Sequence, residues 1–385
     1  MNKLNWKSLI QAAAGLLFLA VVMLGLTGWI GDGNDPGSQN TEGGTTGIKI
    51  ISDAPVRETT AEIMSRPPVQ WSESFKALRM KWELEQPDRS NLPQALGAIE
   101  SSHWPLSENN GKPRPTTERM APQTVSIQFD GATGPAETGA FPPDCNGAVG
   151  PTQFLVFLNG RIRTFNKSTG VADGVLNVDS DVFFNSVMTP PTSSNFTTDP
   201  NVRFDRLSGR WFLNMIDVPG GSGAIVNRVM IAVSDGATIT GGTVWTYYQF
   251  TGDATYFTDY ESLGIDANAL YIGGNMFTTA GAFNSTKGWV IPKAPLVAAS
   301  PMTVWAFPGL ATTGAGAFSP RGVDNFDPTN SGPTATGYFI GVDNAVFGAL
   351  AMRRVTDPGN TSVSPTISAN IAVTVATTTS PNPVT

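Results

Sequence analysis

The chain has 385 residues, a net charge of −7, one histidine and one cysteine. One cysteine excludes an intramolecular disulfide and a Cys-based zinc site, and the lack of a basic run beyond the N-terminus excludes the footprint of a nucleic-acid binder. Gly (41) and Pro (29) are plentiful while charge is only 14%, the make-up of many short strands joined by tight turns.

At the N-terminus Lys3 and Lys7 precede an apolar run from Ala12 to Ile30, and Asp32, Asp35 and Glu42 follow it. The run is just long enough to span a bilayer and long for a signal peptide. Residues 1–30 are therefore expected to form an apolar helix, either a signal peptide or a membrane anchor. The charge bias places the rest of the chain outside. The expected location is extracytoplasmic, secreted or anchored to the outer face of the cytoplasmic membrane, with the membrane met only through this segment. Export without disulfides fits a bacterial protein.

Residues 31–140 read as an irregular linker or stalk, rich in Gly, Asn, Ser and Pro. One short helix is expected at 72–85, where Phe75, Leu78 and Trp82 fall at i, i+3 and i+7.

From Phe141 the pattern turns to β. Short aromatic or β-branched runs such as "TQFLVFLN", "RWFLNMID", "RVMIAVS", "TVWTYYQF", "ALYIGGNMF" and "TGYFIGVD" alternate with Gly, Asn, Asp and Pro. "FNKSTG" and "FDRLSG" each place Asn or Asp ahead of Ser/Thr-Gly, which predicts a side-chain-capped turn with Gly at positive φ. A common opening returns at Asp144, Asp199, Asp259 and Asp324, spaced by 55, 60 and 65 residues. Repeats of this length predict an all-β propeller of four-stranded blades over 141–385, complete or truncated. "ATTTSPNPVT" at the end offers no evident closing strand.

The recurring carboxylates have two readings. In the structural one, Asp144, Asp199, Asp259 and Asp324 accept hydrogen bonds from backbone N–H groups and fix each blade against the next. In the other they line a channel mouth and bind a ligand or Ca²⁺. "NVDSDVFF" (Asp179, Asp181) and "DNFDPTN" (Asp324, Asp327) are only fragments of a calcium loop, so no metal site and no cofactor is expected.

At these openings the chain resembles a group of secreted bacterial β-propeller proteins. Their blades begin with PPD-x-x-G-x-V-G-P, then DP-x-V-x-(F/Y)-D-x-x-x-x-RW, then DY-x-x-(L/I)-G. Here those elements are Pro142–Pro151, Asp199–Trp211 and Asp259–Gly264. The group is distantly similar to sialidase-type propellers, although "SDGATITGGTVW" departs from the Asp-box spacing. The resemblance implies an exported propeller and leaves the ligand open.

Reactive side chains are few. His103, the only histidine, lies in the linker, so neither a Ser–His–Asp nor a His-based metal site can form in the body. Cys145 has no base partner and is expected to be a buried, inert thiol. Carboxylate chemistry is still open: a sialidase-like enzyme would use Tyr260, Glu261 (the one Glu of the body) and a cluster drawn from arginines such as Arg163, Arg203, Arg210 and Arg321. Trp211, Trp245, Trp289 and Trp305 could stack on sugars, but tryptophans at strand positions more often pack between blades. The reading favoured by the sequence is an exported binding, adhesion or scaffolding module whose partner is a glycan or an envelope or surface protein. The alternative is a glycoside hydrolase. Arginines gathered around Tyr260 or Glu261 would favour the enzyme; a channel of Asn, Ser and Asp would favour binding.

Overall fold

The computed structural model describes residues 44–97 apart from 53, together with 125–188, 194–312 and 314–379. The apolar segment 1–30 and His103 lie outside the described residues.

Three short strands come first: β1 (Thr45–Thr46), β2 (Ile48–Ile51) and β3 (Val56–Thr59). Four antiparallel meanders follow in chain order. The first holds β4 (Asn146–Val149), β5 (Gln153–Leu158), β6 (Arg161–Asn166) and β7 (Ala172–Val178). The second holds β8 (Thr197–Asp205), β9 (Arg210–Asp217), β10 (Arg228–Ser234) and β11 (Val244–Thr251). The third holds β12 (Phe257–Ile265), β13 (Ala269–Phe277), β14 (Phe283–Pro292) and β15 (Thr303–Pro308). The fourth holds β16 (Ala317–Gly322), β17 (Thr336–Asp343) and β18 (Ala349–Thr356), with β19 (Thr366–Ile367) and β20 (Ile371–Thr374) both paired to β18. The arrangement is propeller-like, and the inner strands β4, β8, β12 and β16 lie against one another in succession.

Local chemistry explains the hairpins. Asn166 Oδ1 accepts the N–H groups of Ser168 (2.9 Å) and Thr169 (3.1 Å), and Gly170 supplies φ 70°. Asp205 does the same for Leu207 and Ser208 ahead of Gly209 at φ 67°. These are the side-chain-capped turns expected from "FNKSTG" and "FDRLSG".

Apolar strand faces meet between neighbouring sheets. Phe157, Ile162, Leu213, Met215 and Tyr247 pack the first sheet on the second; Phe212, Ile231, Leu263, Ile272 and Ile291 pack the second on the third; Tyr271, Val290, Phe339 and Val355 pack the third on the fourth. Among the described residues no such cluster joins the fourth sheet to the first. The free face of the first sheet is instead covered by the segment before it, where Phe129 meets Phe154 and Phe165 and Ala132 packs on Val156, Leu158 and Phe165. Trp211, Trp245, Trp289 and Trp305 are all buried, so they serve packing and are closed to a sugar.

The stretch expected as a linker has structure of its own. β3 pairs with β11, β2 with β15 and β1 with β19, so one continuous segment adds an outer strand to the second, third and fourth sheets in turn. The last sheet thus receives a strand from the N-terminal side, Thr45 opposite Ile367 and Thr46 opposite Thr366. The expected helix at 72–85 is shorter, Glu73–Arg79, capped by the Ser72 side chain. Beyond it the chain unwinds because tertiary contacts claim Trp82, which packs edge-on against Phe196 and Phe257.

Candidate functional site

One residue in the left-handed region marks the start of each inner strand: Asp144 (φ 41°) two residues ahead of β4, and Asp199 (φ 59°), Tyr260 (φ 55°) and Ser319 (φ 46°) within β8, β12 and β16. In β8, β12 and β16 the pairing register shifts at that point, as a bulge requires. Asp tolerates this conformation because its short polar side chain bonds locally. Pro200 and Pro320 follow the left-handed residue in two of the four, where an interrupted ladder does not need their missing N–H.

These bulges are latched from blade to blade. The Asp199 N–H donates to Asn159 Oδ1 of the first sheet (3.0 Å), the Tyr260 N–H to Asp199 Oδ2 of the second (2.8 Å), and the Ser319 N–H to Asn275 Oδ1 of the third (3.2 Å). Two residues further on a second row repeats the device. Asn146 Oδ1 accepts the Val202 N–H (3.3 Å), Asn201 Nδ2 donates to the Glu261 carbonyl (3.0 Å), and Ser262 Oγ donates to the Pro320 carbonyl (2.8 Å).

Asp199 therefore accepts a backbone N–H from the following blade. Asp144 accepts instead from Asn159 Nδ2 (2.7 Å) in its own sheet, and Asp259 from Gln86 Nε2 (3.2 Å). Asp324 stands apart from the other three. It lies beyond the end of β16, pairs with Arg203 Nε at 2.8 Å and accepts the Ile265 N–H at 3.0 Å. The fourth counterpart is Ser319, whose "SP" dipeptide repeats the "DP" of Asp199–Pro200. That dipeptide was the available signal. Asn159, Asn275, Trp82 and Gln86 had no sequence signal, since each is brought in from another element.

Asp144, Asp199 and Asp259 line one cavity of about 330 Å³ at this end of the inner strands. Its walls include Ser319 and Phe318 from the fourth sheet, Tyr260 from the third, and Trp82, Glu83 and Gln86 from the segment crossing above. Gln86 is fixed on both sides, donating to Asp259 and accepting from Asn275 Nδ2 (3.2 Å). An adjoining chamber of about 200 Å³ shares Asp144, Asp199 and Tyr260 and adds Cys145, Asn146, Asn201, Glu261 and Arg321. Cys145 is exposed here, unlike the buried thiol expected, because it lies ahead of β4 in the loop that lines this chamber, outside the packed strands. A depression of about 660 Å³ beside Lys293 is larger but lacks comparable chemistry, since Lys293 is committed to Asp205 at 2.9 Å.

Adjacent residues on β12 part company. Tyr260 is 45% exposed with the Arg321 guanidinium 4.7 Å from its ring centre, whereas Glu261 is 2% exposed. Glu261 Oε1 accepts from Asn214 Nδ2 at 3.3 Å, and Oε2 has no hydrogen-bond partner. Burial pushes its carboxyl well above the usual carboxylate range, and the nearby Asp199 adds to this. Asp199 is raised well above its ordinary value by burial, then by Asp259 and Asp144. Asp259 is pushed up to about 7 by burial, against the Gln86 hydrogen bond and with the help of Asp144 and Glu83.

Of the arginines named for a sialidase-like clamp, Arg321 alone lines either chamber among the described residues; Arg203 is held by Asp324 and Arg163 by Glu137 at 2.9 Å. Among those residues no group of three or more His, Cys, Asp or Glu has the geometry to hold a metal ion. Of the calcium-loop fragments, Asp179 and Asp181 both bind the buried Arg79 at 2.9 Å, and Asp327 turns back on Thr329.

No protein-family model matches the chain, and no curated protein matches it by sequence. Among solved structures it is similar to an exo-β-1,3-galactanase from Phanerochaete chrysosporium with β-1,3-galactotriose: 12% identity over 58% of this chain and 49% of that one, TM-score 0.31. The same enzyme with galactose gives 11% identity over 60% and 49%, TM-score 0.31. A Bacillus subtilis arabinanase gives 10% identity over 59% of this chain and 93% of that one, TM-score 0.23. The chain spans about half the length of the galactanase it matches. These are distant likenesses of β architecture, and no residue role is taken from them.

Proposed function

We propose that this protein is an exported glycan-binding module that holds its ligand in the axial cavity. The observation that carries this reading is the lining of that cavity: carboxylates from three blades beside the rings of Trp82, Tyr260 and Phe318. Sugars need both kinds of partner, flat apolar faces for their C–H surfaces and polar acceptors for their hydroxyls. The adjoining chamber, with Asn146, Asn201, Asp144 and Asp199 around one arginine, supports binding over an arginine-clamped catalytic site. Export rests on the Lys3/Lys7 and Ala12–Ile30 pattern.

Titration calorimetry of the full chain against a panel of oligosaccharides tests the reading. Binding that is lost in Trp82→Ala and Tyr260→Ala supports it. A folded protein that binds no oligosaccharide sinks it. The glycoside hydrolase reading is kept for one observation, the buried carboxyl of Glu261 beside Asp199, which burial raises well above the usual carboxylate range and so suits to proton donation. Release of reducing sugar that disappears in Glu261→Gln, with binding retained, would decide for the enzyme.

A further inference from the structure

We infer that the ligand of the axial cavity is positively charged: within the carbohydrate reading, on which this rests, it is an amino sugar with a free ammonium group. Four carboxylates line the larger chamber, Glu83, Asp144, Asp199 and Asp259, and no lysine or arginine lines it among the described residues. The aromatic faces of Trp82, Tyr260 and Phe318 complete its walls. Carboxylates with ring faces are the surroundings that hold an organic ammonium, through charge-assisted hydrogen bonds and cation–π attraction.

A second observation is independent of the cluster. Glu261 is buried, yet its Oε2 has no hydrogen-bond partner, and the residue lines the adjoining chamber next to Asp199 and Arg321. A buried carboxyl oxygen left unmatched is costly, and a donor supplied by a ligand removes that cost. Two of the rings already hold a cation from the protein, Arg321 4.7 Å from the centre of Tyr260 and Arg89 4.9 Å from that of Phe318. The charged groups facing the cluster are thus Glu83, Asp144, Asp199, Asp259, Glu261 and these two guanidinium groups.

Without a ligand, burial first and the neighbouring carboxylates second raise Asp199 and Asp259, which favours their protonated forms. An ammonium replaces those protons, which leave to solvent while no covalent bond changes. A neutral sugar offers hydroxyl donors without the charge. An N-acetylated one loses the ammonium altogether.

The test is calorimetry on the full chain near neutral pH with the disaccharide of glucosamine, its diacetylated form, a neutral disaccharide of the same size, ethylammonium and Ca²⁺. The expected result is binding of the free amino disaccharide about tenfold or more tighter than of either other disaccharide. Proton release should appear as a binding heat that changes between buffers of different ionisation enthalpy. Both Asp259→Asn and the exposed Glu83→Gln should weaken it, the second without touching the fold. Equal affinity for all three disaccharides overturns the charge and leaves the sugar reading standing. Ethylammonium bound as tightly, with the neutral sugars unbound, supports the charge and overturns the sugar reading. Binding of Ca²⁺ alone, or of none of these probes, overturns both.

Discussion

Asp199 Oδ2 accepts the backbone N–H of Tyr260 at 2.8 Å and thereby joins two left-handed residues from neighbouring blades. The Asp199 N–H is itself held by Asn159, so one residue ties three sheets together. Asp199→Ala removes the acceptor and places an unsuitable residue at φ 59°, at a cost of about 2–3 kcal/mol. Asp199→Asn keeps a carbonyl acceptor and tolerates the backbone, so its loss should stay within about 1 kcal/mol. Urea denaturation of the two variants compares them directly. Equal losses would mean that the latch does not contribute to stability.

Gly264 is required by the close approach of two blades. A Cβ there would lie 2.1 Å from the carbonyl carbon of Gly322 and 2.4 Å from its oxygen, and backbone cannot swing aside as a side chain can. Gly264→Ala should destabilise the fold by about 1–3 kcal/mol. A melting temperature unchanged from the parent would contradict this packing.

The strap formed by β1–β3 covers the outer edges of three sheets. Deleting residues 1–43 leaves these pairings intact, while deletion through Thr59 removes them all. Taking about 1 kcal/mol net for the pairing lost at each sheet, the longer deletion should cost about 3 kcal/mol and expose strand edges that aggregate. Thermal melts with light scattering check both truncations. If they melt alike, the strap is only a spacer.

The carboxyl of Asp259, at about 7 in the folded chain against an ordinary 3.8, binds its proton more tightly folded than unfolded. Its contribution to stability is therefore complete below about pH 4 and is lost as pH rises through about 7. Asp181, also about 7 because of burial despite Arg79, has the same sign. Asp259→Asn cannot titrate and should flatten part of the fall in stability between pH 4 and pH 7, seen by denaturation across that range. A slope unchanged in Asp259→Asn would show that Asp259 does not titrate there.

The sequence by itself determined the β class, the turns and the beat of the inner strands. "RWFLNMID" and "RVMIAVS" are β9 and β10, and the spacing of Asp144, Asp199 and Asp259 marks three of the four blades. Strand alternation and turn capping are decided within a few residues, so they can be read locally. Only the tertiary structure decided what those beats meet. The left-handed position falls on Tyr260 and Ser319 in the third and fourth sheets, and on neither Asp259 nor Asp324, because it follows backbone geometry and bulge position, whatever the charge of the side chain. Trp82 and Gln86 reach the cavity from a segment with no β pattern, and β2 pairs with β15 some 250 residues away. Such contacts depend on which surfaces the assembled sheets leave open, and a local pattern holds no record of that.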